Sequence, residues 1–167
     1  MTAIARDGRD SPFGDWVRRN PQLDSRTESV CVTNADWTFM KYRDDLCDRG
    51  LKLILDLEEK THDARPDQCQ QELLFFRHQL ALTNGVKWLW SSFIKANVAV
   101  IYFGHFVLRM EGECPDDGKA MWWGTFDTRG NLSWRRITRA ELTAILAFSV
   151  DPSGEPIEET LVERIGS

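Results

Sequence analysis

The chain contains little cysteine, and this scarcity excludes two common kinds of site. Its 167 residues include four cysteines, at positions 31, 47, 69 and 114. None belongs to a Cys-x-x-Cys pair or has a histidine at zinc-finger spacing, so a structural zinc site is not expected. Four cysteines are also too few for a disulfide scaffold of this length. Reduced thiols in a cytoplasmic protein are therefore the simplest interpretation.

The chain also lacks an excess of positive charge. Lysine and arginine total 21 residues against 26 aspartates and glutamates, which gives a formal net charge of −5. A protein that coats nucleic acid through bulk electrostatics needs a broad basic excess, so that mode of binding is disfavoured. A metal-dependent nuclease stays compatible, because it concentrates carboxylates at its site and needs only a local basic rim.

Long apolar runs are absent as well. No stretch approaches the roughly 20 uninterrupted apolar residues of a membrane helix, so no membrane association is expected. The first ten residues, MTAIARDGRD, lack the apolar core of a signal peptide. Residues 1–10 are instead expected to form a mobile leader.

The patterns that are present predict one α/β (α+β) domain over residues 11–152, with a mixed central sheet flanked by helices. An acidic tail over residues 153–167 is expected to pack weakly. Apolar periodicity and capping signals carry these assignments. The predicted elements are a helix from Ser11 that ends before Pro21, strands within 29–42, over 51–59 and over 97–110, a helix from Pro66 to the Thr83-Asn84-Gly85 stop, a hairpin of 121–126 with 132–137, and a helix after the Thr138 capping box.

Two acid-x-Lys triplets stand out, Glu58-Glu59-Lys60 and Asp117-Gly118-Lys119. With six lysines and 26 acidic residues, about one such triplet is expected by chance, so only placement can separate the two. The second triplet lies in a loop rich in proline and glycine, which gives its side chains no rigid support. The first ends an amphipathic strand whose alternation puts Glu58 and Lys60 on one face.

A hairpin would place an acidic residue opposite this triplet. Asp36 precedes Cys47 by eleven positions and Glu58 follows it by eleven, and Cys47 is the middle of the charged turn 44–50. Asp36 and Glu58 are then cross-strand neighbours with Cβ atoms roughly 5 Å apart. Two facing carboxylates repel each other unless a cation lies between them, and Mg²⁺ or Mn²⁺ suits oxygen ligands.

Such a site can cut a phosphodiester bond. Asp36, Glu58 and the backbone carbonyl of Glu59 would hold the metal, and Lys60 would orient or deprotonate the nucleophile. The competing interpretation is a solvated ion-pair cluster on an exposed sheet face, which contributes little to stability and has no activity.

These residues resemble the PD-(D/E)XK, or restriction-endonuclease-like, nuclease superfamily. The resemblance covers residues 11–110 and rests on an order of helix, three strands, helix and strand. Asp36 matches the first acid of the motif, Glu58 the second and Lys60 the lysine, whereas Ala35 replaces the proline. The resemblance also implies two candidate helpers, Gln71 on the second helix and an acid on the first helix, for which Asp15 and Asp24 are candidates.

Three arginines near the last helix, Arg135, Arg136 and Arg139, form with Trp134 a candidate nucleic-acid groove. A solvated helix entry explains them as well and is the favoured interpretation. The expected function is a Mg²⁺-dependent deoxyribonuclease acting on DNA. The alternatives are a non-catalytic binding or assembly protein on a nuclease-like scaffold, and an RNA-binding face without hydrolysis. A homodimer is a further expectation, because two strands of a duplex require two sites.

Overall fold

In a computed structural model of the chain, residues 11–23, 30–33, 37–43, 50–82, 86–158 and 161 are described, with the backbone alone at 30–33. The elements are α1 (Pro12–Arg19), β1 (Val30–Thr33), β2 (Thr38–Tyr42), β3 (Leu51–Lys60), α2 (Gln68–Leu82), β4 (Lys87–Ser91), β5 (Ala96–Met110), β6 (Met121–Phe126), β7 (Leu132–Ile137) and α3 (Arg139–Leu146). Short 3₁₀ turns occupy Pro21–Leu23 and Pro115–Asp117. The predicted leader, 1–10, lies outside the described residues.

The strands form one seven-stranded mixed sheet in the order β1-β2-β3-β5-β6-β7, with β4 paired to β5. β1, β2 and β3 are antiparallel, whereas β3 and β5 are parallel and are connected through α2 and β4. The α/β class with a mixed sheet, a C-terminal hairpin and a final helix is confirmed. The segment from Val86 to Ala96, which apolar pattern alone does not assign, contains β4.

The two faces of the sheet differ in composition. The core face carries Leu51, Leu53, Leu55 and Leu57, and its apolar cluster includes residues of α1 and α3. The opposite face, here called the α2 face, carries Ile54, Asp56, Glu58 and Lys60. This division follows from strict alternation along β3, in which the odd positions from 51 to 57 are fully buried.

Both flanking helices of the core face begin with the signals that their sequences contain. The Ser11 hydroxyl accepts a hydrogen bond from the Gly14 N–H at 3.0 Å, and Pro12 occupies the first turn. Thr138 and Glu141 form the predicted capping box at the start of α3.

A β-bulge in β5 changes which residues reach the α2 face. Ile54 pairs with Tyr102, but Asp56 pairs with His105, so β5 contains one extra residue. Gly104 supplies the positive φ of +114° at this point. Before the bulge, the even-numbered residue Tyr102 lies on the α2 face. After it, odd-numbered residues such as Arg109 lie there instead.

β5 has two partners along its second edge. β4 pairs with residues 96–100 and β6 with residues 107–110. In the stretch between them, the His105 N–H donates to Nδ1 of His78 on α2 at 3.0 Å. Burial of His78 lowers the pKa of its imidazole, with a smaller effect of His105 in the same direction.

The segment predicted as a weakly packing tail contributes to the core. Ile157 is fully buried and Leu161 is 1% exposed, and both belong to the apolar cluster. The expectation of weak packing is therefore wrong at these two positions, because two apolar side chains among acidic ones are enough to dock the segment.

Several large apolar side chains of α2 and β4 are exposed to solvent. Only some of the apolar residues of α2 are buried, because the helix turns Leu74 and His78 toward the sheet. The exposed residues are Leu73, Phe76, Leu80 and Leu82 in α2, Trp88, Leu89 and Trp90 in β4, and Phe93 in the turn after it. No helix within the described residues is long and apolar enough to cross a membrane.

Candidate active site

Glu58 and Lys60 meet at the end of β3. The Lys60 Nζ lies 2.9 Å from the Glu58 Oε1. The Lys60 side chain is 20% exposed and the Glu58 side chain is 15% exposed. The same oxygen accepts a hydrogen bond from the Gln70 Nε2 at 2.7 Å. Among the described residues, no hydrogen bond reaches the second Glu58 oxygen, Oε2. The carboxylate is thus oriented through one oxygen, and its other oxygen could bind a cation.

Asp56 lies two residues before Glu58 on the same face and is fully engaged. Its carboxylate accepts hydrogen bonds from the Thr38 hydroxyl at 2.5 Å and the Tyr102 hydroxyl at 2.6 Å. Burial and the neighbouring Asp56 charge raise the pKa of Tyr102, so the phenol stays protonated and donates. Asp56 therefore braces β2, β3 and β5 against one another behind Glu58.

Glu59 points the other way and joins the strand to α1. Burial raises the pKa of its carboxyl, whereas hydrogen bonds from the Ser11 and Trp37 side chains lower it by less. Ser11 is also the N-cap of α1, so one hydroxyl connects the first helix to the end of β3. The expected metal ligand at this position is the backbone carbonyl of Glu59, not its side chain.

The hairpin that predicts the position of Asp36 has the expected register. Thr38 pairs with Asp56 and Tyr42 with Lys52, and each pair is equidistant in sequence from Cys47. The Leu57 N–H donates to the Trp37 carbonyl at 3.0 Å in the same register. Asp36 itself lies outside the described residues, so its pairing with Glu58 stays a prediction. Within the described ranges, no group of three or more His, Cys, Asp or Glu side chains could hold a metal ion.

The second acid-x-Lys triplet has a structural function. The Asp117 carboxylate accepts hydrogen bonds from the Glu113 and Cys114 N–H groups at 2.7 and 3.1 Å. These bonds lower the pKa of Asp117 and hold the 3₁₀ turn together. Lys119 is exposed in the loop that follows.

The glutamine beside Glu58 is Gln70, whereas the family resemblance implies Gln71 as a candidate helper. The Gln71 Nε2 donates to the Gly130 carbonyl of the β6–β7 loop at 2.9 Å. The choice between adjacent helical residues depends on the rotation of α2 about its axis. Apolar periodicity gave no signal for that rotation, because the exposed and buried sides of α2 are both apolar.

Asp15, the other candidate helper, belongs to a helix on the opposite side of the sheet. Its carboxylate pairs with Arg18 one turn further along α1. Because α1 packs on the core face and Glu58 points to the α2 face, Asp15 does not join this site. Asp24, the alternative acid, lies outside the described residues.

The three candidate nucleic-acid arginines do not form one cluster. Arg135 lies 3.7 Å from Glu141, and Arg139 lies 2.5 Å from Asp116, both on the side of the sheet where α3 packs. Arg136 pairs across the hairpin with Trp122, and its side chain lies on the α2 face. Strand alternation separates Arg135 from Arg136, so only Arg136 shares a face with Glu58.

Comparison with known proteins found no matching family model, no matching curated protein and no matching solved structure. The fold class and the geometry of the site are therefore established from this chain alone.

Proposed function

We propose that the chain is a metal-dependent nuclease that hydrolyses phosphodiester bonds of DNA at the end of β3. The observation that carries the proposal is the convergence of Glu58, Lys60 and Gln70 within hydrogen-bond distance on one face. Support also comes from the register of β2 with β3, which is the register that brings the predicted Asp36 to Glu58. The order of elements from α1 to β5 agrees with the PD-(D/E)XK resemblance, with β4 as an addition.

The chemistry of the predicted ligands suits a hard divalent cation. Glu58 Oε2, Asp36 and the Glu59 carbonyl would hold Mg²⁺ or Mn²⁺, which prefer oxygen ligands. When bound, the ion supplies Lewis acidity to the scissile phosphate and to a water. Lys60 Nζ, already placed beside Glu58, orients the attacking water and stabilises charge that grows on the phosphate oxygens. Gln70 fixes the rotamer of Glu58 and is a positioning residue.

Substitution of the three motif residues tests the proposal. Asp36→Asn, Glu58→Gln and Lys60→Met are each expected to lower Mg²⁺-stimulated cleavage of labelled DNA by about 10²- to 10⁴-fold, the usual range for such groups. Lys119→Met is the matched control, because it removes the lysine of the other acid-x-Lys triplet. Circular dichroism and thermal unfolding establish that the variants fold. Wild-type cleavage rates in Glu58→Gln and Lys60→Met would rule out this assignment.

One observation favours a second function, a non-catalytic assembly protein. Trp90 is 66% exposed, Leu80 74% and Phe93 90%, and large exposed apolar side chains are typical of protein contacts. Titration calorimetry with Mn²⁺ separates the two functions. A nuclease is expected to bind Mn²⁺ saturably, and this binding is expected to disappear in Glu58→Gln. An assembly protein in which Glu58 and Lys60 form only an ion pair is expected to show no saturable Mn²⁺ binding.

A further inference from the structure

Four strands present one residue each in a row that begins at the candidate active site. Lys60 pairs with Arg109, Arg109 with Trp122, and Trp122 with Arg136. Laterally paired side chains point to the same face of a sheet, so all four lie on the α2 face. The bulge at Gly104 makes this possible, because without the extra residue Arg109 would point into the core.

Two indole rings enclose the buried arginine of this row. The Arg109 guanidinium lies 4.3 Å from the ring centre of Trp122 and 4.9 Å from that of Trp134. The Asp63 carboxylate, in the loop after β3, lies 3.1 Å from the Arg109 Nε as an ion pair, although the Nε has no hydrogen-bond partner among the described residues. The two rings are half-buried, so each is held in place while part of it is open to solvent.

Glycine at position 124 allows one of these rings to lie against the sheet. A Cβ at Gly124 would come within 2.7 Å of the Trp134 ring. Gly124 pairs with Val107, and Val107 pairs with Glu58, so the Trp134 ring lies in the row of Glu58 itself. With strands about 4.8 Å apart, β6 is roughly 10 Å from β3. That distance corresponds to about three stacked nucleotides at 3.4 Å each.

We propose that Trp122, Trp134 and Arg136 form a binding track for single-stranded nucleic acid next to the cleaved bond. This inference rests on the proposed function and deepens it by naming the form of the substrate. Bases stack on the two indole rings, and Arg136 contacts a phosphate further along the strand. Arg109 is too buried to touch the strand, and it positions the rings.

The local chemistry favours a single strand. Stacking on an indole needs an unpaired base whose face is exposed, and a duplex keeps its base faces covered. Two cations of the row are paired with carboxylates, Lys60 with Glu58 and Arg109 with Asp63. Arg136 is exposed and has no ion-pair partner among the described residues, so it is the cation of the row that can contact a phosphate. The recessed position of Glu58, 15% exposed, is accessible to one strand more easily than to two.

Binding measured without catalysis tests the track. Fluorescence anisotropy of labelled oligothymidylate in EDTA is compared among the wild type, Arg136→Ala, Trp122→Ala and Arg135→Ala. Trp122→Ala is expected to weaken binding by about 5- to 150-fold, the range for one stacked base. Arg136→Ala is expected to weaken binding and to reduce the salt slope by about 0.7, the value for one phosphate on a single strand. Arg135→Ala is the matched control, because it removes the adjacent arginine on the opposite face.

The outcomes separate this proposal from the nuclease proposal. If Arg136→Ala and Trp122→Ala both bind like the wild type, the track is overturned. It is also overturned if Arg135→Ala loses as much affinity as Arg136→Ala. Arg136 is exposed, so its substitution keeps the test valid if Trp122→Ala fails to fold. Tighter binding of duplex DNA overturns the single-strand class, and equal competition by polyglutamate overturns nucleic acid as the ligand. If binding follows the expected pattern but no divalent cation supports cleavage, the track stands and the nuclease proposal fails.

Discussion

At the scale of single residues, Glu58 makes both of its polar contacts through one oxygen, a hydrogen bond from Gln70 and an ion pair with Lys60. Lys60 and Gln70 approach Oε1 from β3 and from α2, so the carboxylate is held by two elements. This arrangement orients Oε2 without engaging it. The contribution of each partner can therefore be measured separately.

Gln70→Ala is expected to reduce cleavage by about 10- to 100-fold, the usual effect of removing a group that orients a metal ligand. The Mg²⁺ concentration that gives half the maximal rate is expected to rise, whereas the thermal unfolding temperature is expected to stay unchanged. Gln71→Ala is the matched control, since Gln71 binds the Gly130 carbonyl. An equal effect of the two substitutions on the metal dependence would contradict the positioning role of Gln70.

The buried carboxyl of Glu59 predicts a pH dependence of stability. Its pKa in the folded protein is raised above the ordinary value of 4.5, so folding favours the protonated form. The contribution of this group is therefore greatest below pH 4.5 and is lost as the pH rises through the folded pKa. Glu59→Gln stays neutral, and its free energy of unfolding is expected to lack that decline.

Urea denaturation of the wild type and Glu59→Gln at intervals from pH 4 to pH 8 measures this difference. The stability gap between the two proteins should grow in favour of Glu59→Gln as the pH rises. Glu72→Gln, at an exposed position on α2, serves as the control and should follow the wild type at every pH. A constant gap across the range would contradict the raised pKa.

The residue types of the site were predictable from the sequence, but one partner was not. Alternation along β3 places Glu58 and Lys60 on one face, and the structure agrees. Gln70 was missed because adjacent residues of a helix differ only by rotation about the helix axis. Arg135, Arg136 and Arg139 were grouped because they are close in sequence, although β7 and α3 direct them to different sides.

At the scale of elements, the bulge in β5 has the widest effect. Gly104 has a φ of +114°, and a Cβ there would come within 2.4 Å of the His78 ring. His78 in turn accepts the His105 N–H, so the bulge and the docking of α2 depend on the same glycine. A single residue thus controls the direction of β5 and the position of a helix.

Gly104→Ala is expected to lower the free energy of unfolding by about 2 kcal/mol or more, because strain at positive φ and overpacking add. Gly154→Ala is the control, since Gly154 has a φ of +95° with no neighbouring atom within 4 Å of an added Cβ. That variant experiences only the backbone strain. Chemical denaturation measures the free energy of unfolding of both variants. Equal decreases in the two would show that the contact with His78 does not contribute to the effect of Gly104→Ala.

Sequence patterns predicted most elements and missed this bulge. The β6–β7 hairpin, the capping box of α3 and the register of β2 with β3 follow from local chemistry and chain symmetry. A bulge inside a run of apolar residues leaves no such signal, because Val, Ile, Tyr and Phe suit both faces of a buried strand. The position of Arg109 on the α2 face was therefore not predictable.

At the scale of the whole molecule, the core extends beyond the predicted domain end at residue 152. Ile157 and Leu161 join the cluster that α1, α3 and the core face of the sheet build. Composition misled here, because residues 153–167 contain as many acidic residues as apolar ones, four of each, and the acidic residues hide the spacing of the apolar ones. The segment and the domain are expected to unfold together.

Ile157→Ala is expected to lower the free energy of unfolding by about 2 to 5 kcal/mol, the usual range for a fully buried isoleucine. Glu155→Ala, at an exposed position in the same segment, is the control, because it keeps the backbone bonds of the turn. Denaturation followed by tryptophan fluorescence reports the core, which contains the buried Trp16 and Trp123. An unchanged midpoint in Ile157→Ala would show that the segment packs as weakly as its composition suggests.

The hydrogen bond from His105 to His78 gives the molecule an internal reporter of α2 docking. An amide bonded to another strand exchanges its hydrogen with solvent only when the sheet opens, whereas this amide is protected by a side chain of α2. Its exchange rate therefore measures how often the helix lifts away while the strands stay paired. Because α2 also carries Gln70, that rate is expected to match the rate at which Glu58 loses one of its two supports.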